Sequence, residues 1–257
     1  MLERLSLYWR VLATGFSFLM FGIGGLLLRV LVFPLLNLFV WKRPQRVTLA
    51  RAVIRWTFRA FVALMRGLGV LRYEIVGLQR LERGGLLILA NHPTLIDTVF
   101  LMAFVKRADC IVKGRLWNNP FTRGPVQAAG YINNDSGVDL VADCIASLQN
   151  GNNLIIFPEG TRTPSGGAIS LKRGAANIAV RGARNVTPVV IRCEPITLGK
   201  GEKWWRVPCR KASFRIEVRD DIGIDSFITD NSNESMAARR LTDYLQSYFT
   251  EEVRRHA

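Results

Sequence analysis

Leu86-Leu87-Ile88-Leu89-Ala90-Asn91-His92-Pro93-Thr94-Leu95-Ile96-Asp97 runs from an apolar strand through a polar turn into the start of a helix. Five apolar residues read as a buried strand, and Pro93 marks a helix start, because proline is tolerated in a first turn and not inside. On a continuous helix, residues five apart point about 140° away from each other, so His92 and Asp97 could not meet there. They meet if His92 sits in the turn and Asp97 in the first helical turn. Asp97 then accepts one imidazole N–H and leaves the other nitrogen free as a base. The helix N-terminus favours the carboxylate and a developing oxyanion as well. The only other histidine, His256, is the next-to-last residue, so imidazole chemistry in a folded region must pass through His92. The plainer alternative is Asp97 as a helix cap beside an incidental histidine.

Outward from this stretch, short apolar runs alternate with helical patterns. The predicted strands are 73–76, 86–90, 110–113, 131–133, 154–157, 189–192 and 214–219, and the predicted helices are 95–105, 138–149, 172–181 and 235–253. Near-continuous apolar strands separated by helices indicate an α/β domain, with a mostly parallel central sheet flanked by helices. Ligands gather at the C-terminal ends of such strands. With 257 residues and nothing resembling a linker, the expected partition is an attachment over 1–70 and one catalytic domain over 71–257.

The attachment reads as membrane-associated. Val11 to Leu28 carries no charge, and the apolar run resumes after Arg29 and continues to Trp41. That length approaches the roughly 20 residues needed to span a bilayer. Both a spanning and a re-entrant segment are open. From 48 to 70, Arg51, Arg55, Arg59 and Arg66 recur on one side, with Phe58, Phe61, Val62 and Met65 read as lying elsewhere on the wheel. This predicts a basic amphipathic helix in the headgroup layer, against the alternative of a helix packed on its own domain. Lys42, Arg43 and Arg46 outnumber Arg4 and Arg10 across the apolar run, which places the remainder on the cytoplasmic face of the inner membrane.

A net charge of +15 suits nucleic acid, anionic lipid surfaces or phosphorylated substrates. The apolar N-terminus and the lack of any zinc-finger or RNA-binding signature favour the anionic membrane surface over nucleic acid. Cys110, Cys144, Cys193 and Cys209 show no C-x-x-C spacing and read as reduced, partly buried thiols. No metal and no bound cofactor are expected. Lys203-Trp204-Trp205-Arg206 reads as an interfacial loop or a buried aromatic pair.

A second motif lies downstream. Leu154-Ile155-Ile156-Phe157 runs into Pro158-Glu159-Gly160-Thr161-Arg162, a buried strand ending in a loop with acid, glycine and base together. Glu159 can accept hydrogen bonds from hydroxyls, Gly160 lets backbone approach a ligand, and Arg162 can grip phosphate bidentately. A turn ion pair between Glu159 and Arg162 is the bland alternative. Lys172 and Arg173, at a helix start in Leu171-Lys172-Arg173-Gly174-Ala175-Ala176-Asn177-Ile178-Ala179, oppose the macrodipole and so suit a phosphate; a solvated charge pair is the other reading.

Taken together, N-H-P-T-L-I-D, F-P-E-G-T-R, L-K-R-G-A-A-N-I-A and Pro188-Val189-Val190 resemble the glycerophosphate and lysophospholipid acyltransferases, over about residues 72 to 220. The resemblance implies transfer of a fatty acyl group from acyl-CoA or acyl carrier protein to a hydroxyl of a lysophospholipid, with 1-acylglycerol-3-phosphate the expected acceptor. It makes His92 the general base and Asp97 its orienter. Glu159, Gly160, Thr161, Arg162 and Lys172 become the acceptor site. In one respect the chain departs from the pattern. Gly130-Tyr131-Ile132-Asn133-Asn134-Asp135-Ser136 lacks the arginine with which the family's second block usually ends, leaving Lys113, Arg115 or Arg123 as spatial substitutes. Alternatives are another lyso-lipid or specialised amphiphile as acceptor, a serine hydrolase, for which no G-x-S-x-G is present, and a non-catalytic membrane lipid-binding protein.

Overall fold

The computed structural model describes residues 2–118, 122–135, 137–164, 166–228 and 233–255. Ser136 and His256 lie outside the described residues. Seven strands form one sheet: β1 (Leu71–Val76), β2 (Leu87–Ala90), β3 (Ala108–Val112), β4 (Ile132–Asn133), β5 (Asn153–Ile156), β6 (Val186–Glu194) and β7 (Ala212–Val218). Their order is β1-β7-β6-β2-β5-β3-β4, parallel throughout except for the antiparallel β6–β7 pair. The predicted fold class is the observed one. β2 sits fully buried at the centre, which is why it reads as an unbroken apolar run rather than an alternation.

Side chains alternate across the sheet and feed two cores. Ile88 and Ala90 point to one core, with Ile54, Phe61, Met65 and Phe100; Leu87 and Leu89 point to the other, with Cys144, Leu148, Ile178, Leu241 and Phe249. The first face is covered by α3 (Arg43–Gly67), α4 (Asp97–Phe104) and α6 (Arg123–Ala128), with the N-terminal helices outside them. The second face is covered by α7 (Leu140–Gln149), α8 (Gly174–Arg181) and α9 (Glu234–Arg254). A five-residue helix, α5 (Gly114–Asn118), and α6 fill the β3–β4 connection, where sequence periodicity gave no signal.

At the N-terminus, α1 (Leu2–Leu27) continues through a π-helical turn at Leu28–Val32 into α2 (Phe33–Phe39). Proline inside a helix lacks an N–H and clashes with the carbonyl four residues back. The π turn lies immediately before Pro34 and carries the Phe33 N–H to the Leu28 carbonyl, widening the ladder at that point. Arg4–Phe39 is long and apolar enough, by length and composition, to cross a membrane. Leu12, Leu19, Leu26, Val30, Leu38 and Phe39 are exposed on it. Arg10, inside this run, is buried instead and donates to Ser6 Oγ and to the Cys209 carbonyl.

The arginine stripe of α3 differs from the expectation at Arg51. Arg51 is buried, not laid in a headgroup layer, and shares its side with Ile54, Val62 and Met65. Eleven residues advance a helix by about 20° beyond whole turns, so Arg51 and Val62 lie nearly in line. Arg51 Nη2 pairs with Asp109 Oδ2 at 2.7 Å. The Arg59 guanidinium lies 5.1 Å from the Trp56 ring and 5.5 Å from that of Phe104. The helix therefore packs on its own domain by much of its basic side. Periodicity shows which residues share a face but not what that face meets, and here it meets a carboxylate in β3.

Helix α9 is held by a cluster of charges. Glu217 pairs with Arg192 at 3.0 Å, with Arg219 at 2.6 Å and with Arg215, while Glu252 accepts from Arg219 at 2.6 Å and Arg255 at 2.9 Å. Burial pushes the Glu217 carboxyl up, and the Arg215 hydrogen bond with the Arg219 and Arg192 charges outweighs it, for a net lowering. A hydrogen bond from Arg83, with another from Thr187, lowers Asp221. A carboxylate whose folded pKa lies below its unfolded value stabilises the fold above that unfolded value, and the contribution is lost as the pH falls through the folded pKa. The contribution of Glu217 and Asp221 to unfolding free energy, read as the difference from their amide variants, should therefore hold from neutrality down to the ordinary carboxylate range and decline below it. Denaturant titrations between pH 7 and pH 3 test this; a difference that stays flat below that range would contradict it.

All four cysteines are free thiols. Burial pushes the thiols of Cys144 and Cys193 up to about 12, so neither is a ready nucleophile.

Candidate active site

β2 delivers Asn91 and His92 into the turn before α4. The Asn91 amide holds the main chain there, donating to the Ile191 carbonyl at 2.8 Å and accepting the Ile191 N–H at 2.7 Å. His92 Nδ1 and Asp97 Oδ2 are 2.9 Å apart, and Asp97 is the first residue of α4. The strand-to-helix geometry expected from the five-residue spacing is the one present.

Thr94 completes the arrangement, and sequence reasoning gave it no role. Its N–H donates to Asp97 Oδ2 at 2.6 Å and its hydroxyl to Oδ1 at 2.5 Å. Asp97 is fully buried, which pushes its carboxyl up; the hydrogen bonds from His92 and Thr94 oppose this. With Thr94 bonded to both oxygens, the Asp97 carboxylate is held with Oδ2 toward the imidazole. The His92 ring is further fixed by stacking on Phe157, with centroids 4.1 Å apart.

The downstream motif folds over the same turn. Glu159 Oε1 accepts the His92 N–H at 2.9 Å, while Oε2 is buried without a partner. Burial pushes this carboxyl up, with the His92 hydrogen bond opposing. The Thr163 N–H returns to the His92 carbonyl at 3.0 Å, so the two motifs are stitched through main chain. Gly160 has φ +68° and lies under the Lys172 side chain; a Cβ there would stand 2.9 Å from Lys172 Cε. The Lys172 N–H donates to the Pro158 carbonyl at 2.8 Å, which brings the exposed Lys172 to the loop. Arg173 caps α8 by position and is exposed. Thr161 is exposed.

Arg162 forms no ion pair with Glu159 among the described residues. Its Nη1 donates to the carbonyls of Leu198 at 3.0 Å and Gly199 at 2.9 Å. Nε and Nη2 have no hydrogen bond among the described residues. Two carbonyls set the plane of the guanidinium without neutralising it, which suits an arginine reserved for an anion.

His92 and Glu159 line a cavity of about 770 Å³ that continues to Gln246, Thr250, Val253 and Arg254 of α9. Gly160, Thr161, Arg162 and Lys172 lie on the loop beyond that lining. In the second block, Asp135 packs on the α5 start, where a Cβ on Gly114 would stand 1.7 Å from its Oδ2. Lys113 and Arg115 flank that glycine and are exposed, as is Arg123; none of the three lines the cavity. No group of three or more metal-ligating side chains occurs among the described residues. Trp204 and Trp205 are exposed, packed edge to face at 5.5 Å, and a Cβ on Gly15 of α1 would meet the Trp204 ring at 3.1 Å. The K-W-W-R loop thus rests on the apolar N-terminal helix.

Residues 72–192 match the acyltransferase family. A 1-acyl-sn-glycerol-3-phosphate acyltransferase from Pseudomonas aeruginosa is 28% identical over 155 residues, 57% of this chain and 59% of the relative. One from Helicobacter pylori is 32% identical over 117 residues, 43% of this chain and 49% of the relative. The chain thus spans about half the length of the curated relatives it matches. The crystal structure of PlsC, the 1-acyl-sn-glycerophosphate acyltransferase of Thermotoga maritima, shares the fold, with TM-score 0.64 and 18% identity over 96% of this chain and 97% of that one. Both H-x4-D and P-E-G-T-R, joined here in one site, fall within residues 72–192, the part of the chain that matches the acyltransferase family.

Proposed function

We propose that this protein transfers a fatty acyl group from a thioester, acyl-CoA or acyl carrier protein, to the free hydroxyl of 1-acylglycerol-3-phosphate. The observation that carries this reading is the His92–Asp97 pair, ordered by Thr94 and Phe157 and facing a cavity shared with Glu159. With Nδ1–H donated to Asp97, Nε2 holds the lone pair. It takes the proton of the acceptor hydroxyl as that oxygen attacks the thioester carbonyl. The C–O bond forms, the C–S bond breaks, and the proton passes from Nε2 to the departing thiolate. Arg162 and Lys172 bind the acceptor phosphate, and Glu159 holds the His92 main chain beside the glycerol. The names of the relatives support the choice of acceptor. The apolar run to Phe39, with Lys42, Arg43 and Arg46 after it, supports work at the cytoplasmic face of a membrane.

The test is transfer by purified protein in detergent, offering both donor types and a panel of lysolipids; no product with any pair refutes the reading. Within it, Arg162→Ala should raise the acceptor KM about ten- to a hundredfold, the loss of charge-assisted hydrogen bonds, with a smaller change in kcat. An unchanged KM with phosphate-bearing acceptors would remove Arg162 from the phosphate site.

A further inference from the structure

We propose that the trough leading from His92 along α9 receives the phosphopantetheine arm of the thioester donor. This rests on the acyltransferase reading and adds to it the path of the second substrate. The path is set by the edge of β6.

β2 pairs with β6 only as far as Ala90 opposite Val189, and the Asn91 side chain then takes both main-chain groups of Ile191. Backbone groups point to alternate edges along a strand, so Cys193, two residues on, presents its N–H and C=O on that same edge. On that edge β2 has already ended, and no turn or loop hydrogen bond reaches either group among the described residues, although Cys193 is buried and lines the cavity. Buried main-chain groups are nearly always paired, so an unpaired set at a cavity wall marks a place for a ligand with amides of its own. Pantetheine is an extended chain with two amides, and an acyl chain has none to offer.

The opposite wall has matching character. Gln246, Thr250, Val253 and Arg254 form one stripe of α9, running about 12 Å along the helix axis. Gln246 and Thr250 bring hydrogen-bonding side chains; the exposed Arg254 suits the phosphate at the far end of the arm. Glu194 also lines the cavity.

Direction of approach agrees. α9 covers the sheet face opposite the one on which the N-terminal helices lie. Arg162 is tied instead to Leu198 and Gly199, whose loop reaches α1 through Arg10 and Trp204. A lipid acceptor from the α1 side and a water-soluble donor from the α9 side would converge on His92 without sharing an entrance.

The test uses the full chain in detergent. Thr250→Trp places an indole in the trough from a partly exposed helix position, and Cys193→Pro removes the unpaired N–H. Each should raise the donor KM about tenfold with the acceptor KM unchanged, and should weaken binding of coenzyme A and of 4′-phosphopantetheine, measured by calorimetry, by a similar factor. Loss with acyl-CoA and acyl carrier protein alike identifies the shared arm. Three results would overturn the proposal: an unmoved donor KM in Thr250→Trp, a raised acceptor KM, or a shift toward shorter acyl chains with coenzyme A affinity intact. Thr250-dependent coenzyme A binding without transfer by the wild type would support the arm site and refute the acyltransferase reading. Transfer with a donor KM indifferent to Thr250→Trp would do the reverse.

Discussion

His92→Ala should lower kcat by about 10²–10⁴-fold, the contribution of a positioned general base, while acceptor and donor KM change little. The ring sits at a junction that other residues hold in place: Asn91 ties the main chain to β6, and Glu159 and Thr163 take the His92 N–H and C=O. Removing the imidazole leaves this scaffold standing, so the loss should fall on chemistry rather than on folding. Asp97→Asn separates the parts further. Asparagine preserves the shape but changes the tautomer its neighbour prefers and disturbs the two Thr94 bonds. Its kcat should fall between wild type and His92→Ala. The measurement is steady-state transfer with circular dichroism as the control for folding. Substantial activity in His92→Ala would remove the general base from the mechanism.

The His92–Asp97 pair was legible because it is local. Five residues, a proline and an apolar strand before them constrain the turn enough to bring the two side chains together. The parallel strands were legible for a related reason, since burial on both faces leaves unbroken apolar runs such as Leu86–Ala90 and Leu154–Phe157. What the sequence concealed is non-local. Glu159 meets the His92 N–H only because β5 lies beside β2, and Cys193 lines the cavity only because β6 outruns β2. Phe157 stacks on His92 through the same neighbour relation. Thr94 stood inside the quoted motif, but its two bonds depend on the exact path of the turn. The burial of Arg51 on α3 is hidden in sequence because a charged stripe looks the same whether it faces lipid headgroups or a buried carboxylate.

That carboxylate carries the largest expected effect on stability. Asp109→Ala should cost about 3–5 kcal/mol, the usual cost of leaving one partner of a buried ion pair uncompensated. Arg51 and Asp109 are both nearly inaccessible, and Asp109 also accepts from Ser147 Oγ at 2.6 Å and from the Cys110 N–H at 2.9 Å. Arg51 also donates from Nε to the Ala129 carbonyl, at 2.8 Å, and from Nη2 to the Gly130 carbonyl, at 3.3 Å. One pair thus joins α3 to β3, to the turn entering β4 and, through Ser147, to α7 on the other side of the sheet. With Asp109 gone, the guanidinium keeps its carbonyls but loses its counter-charge in a place water does not reach. Removing both charges together should be far milder: the Arg51→Met, Asp109→Leu double variant should recover most of the loss, and the cycle of the four proteins gives the coupling energy directly. Denaturant unfolding in detergent, followed by far-ultraviolet circular dichroism, reads it. A cost under about 1 kcal/mol for Asp109→Ala is the value of an exposed pair and would mean that α3 does not seal this site in solution. Because neither residue lines the cavity beside His92, the folded fraction of Asp109→Ala should keep the wild-type KM values. A changed acceptor KM instead would show that the packing of α3 on β3 also shapes the acceptor site.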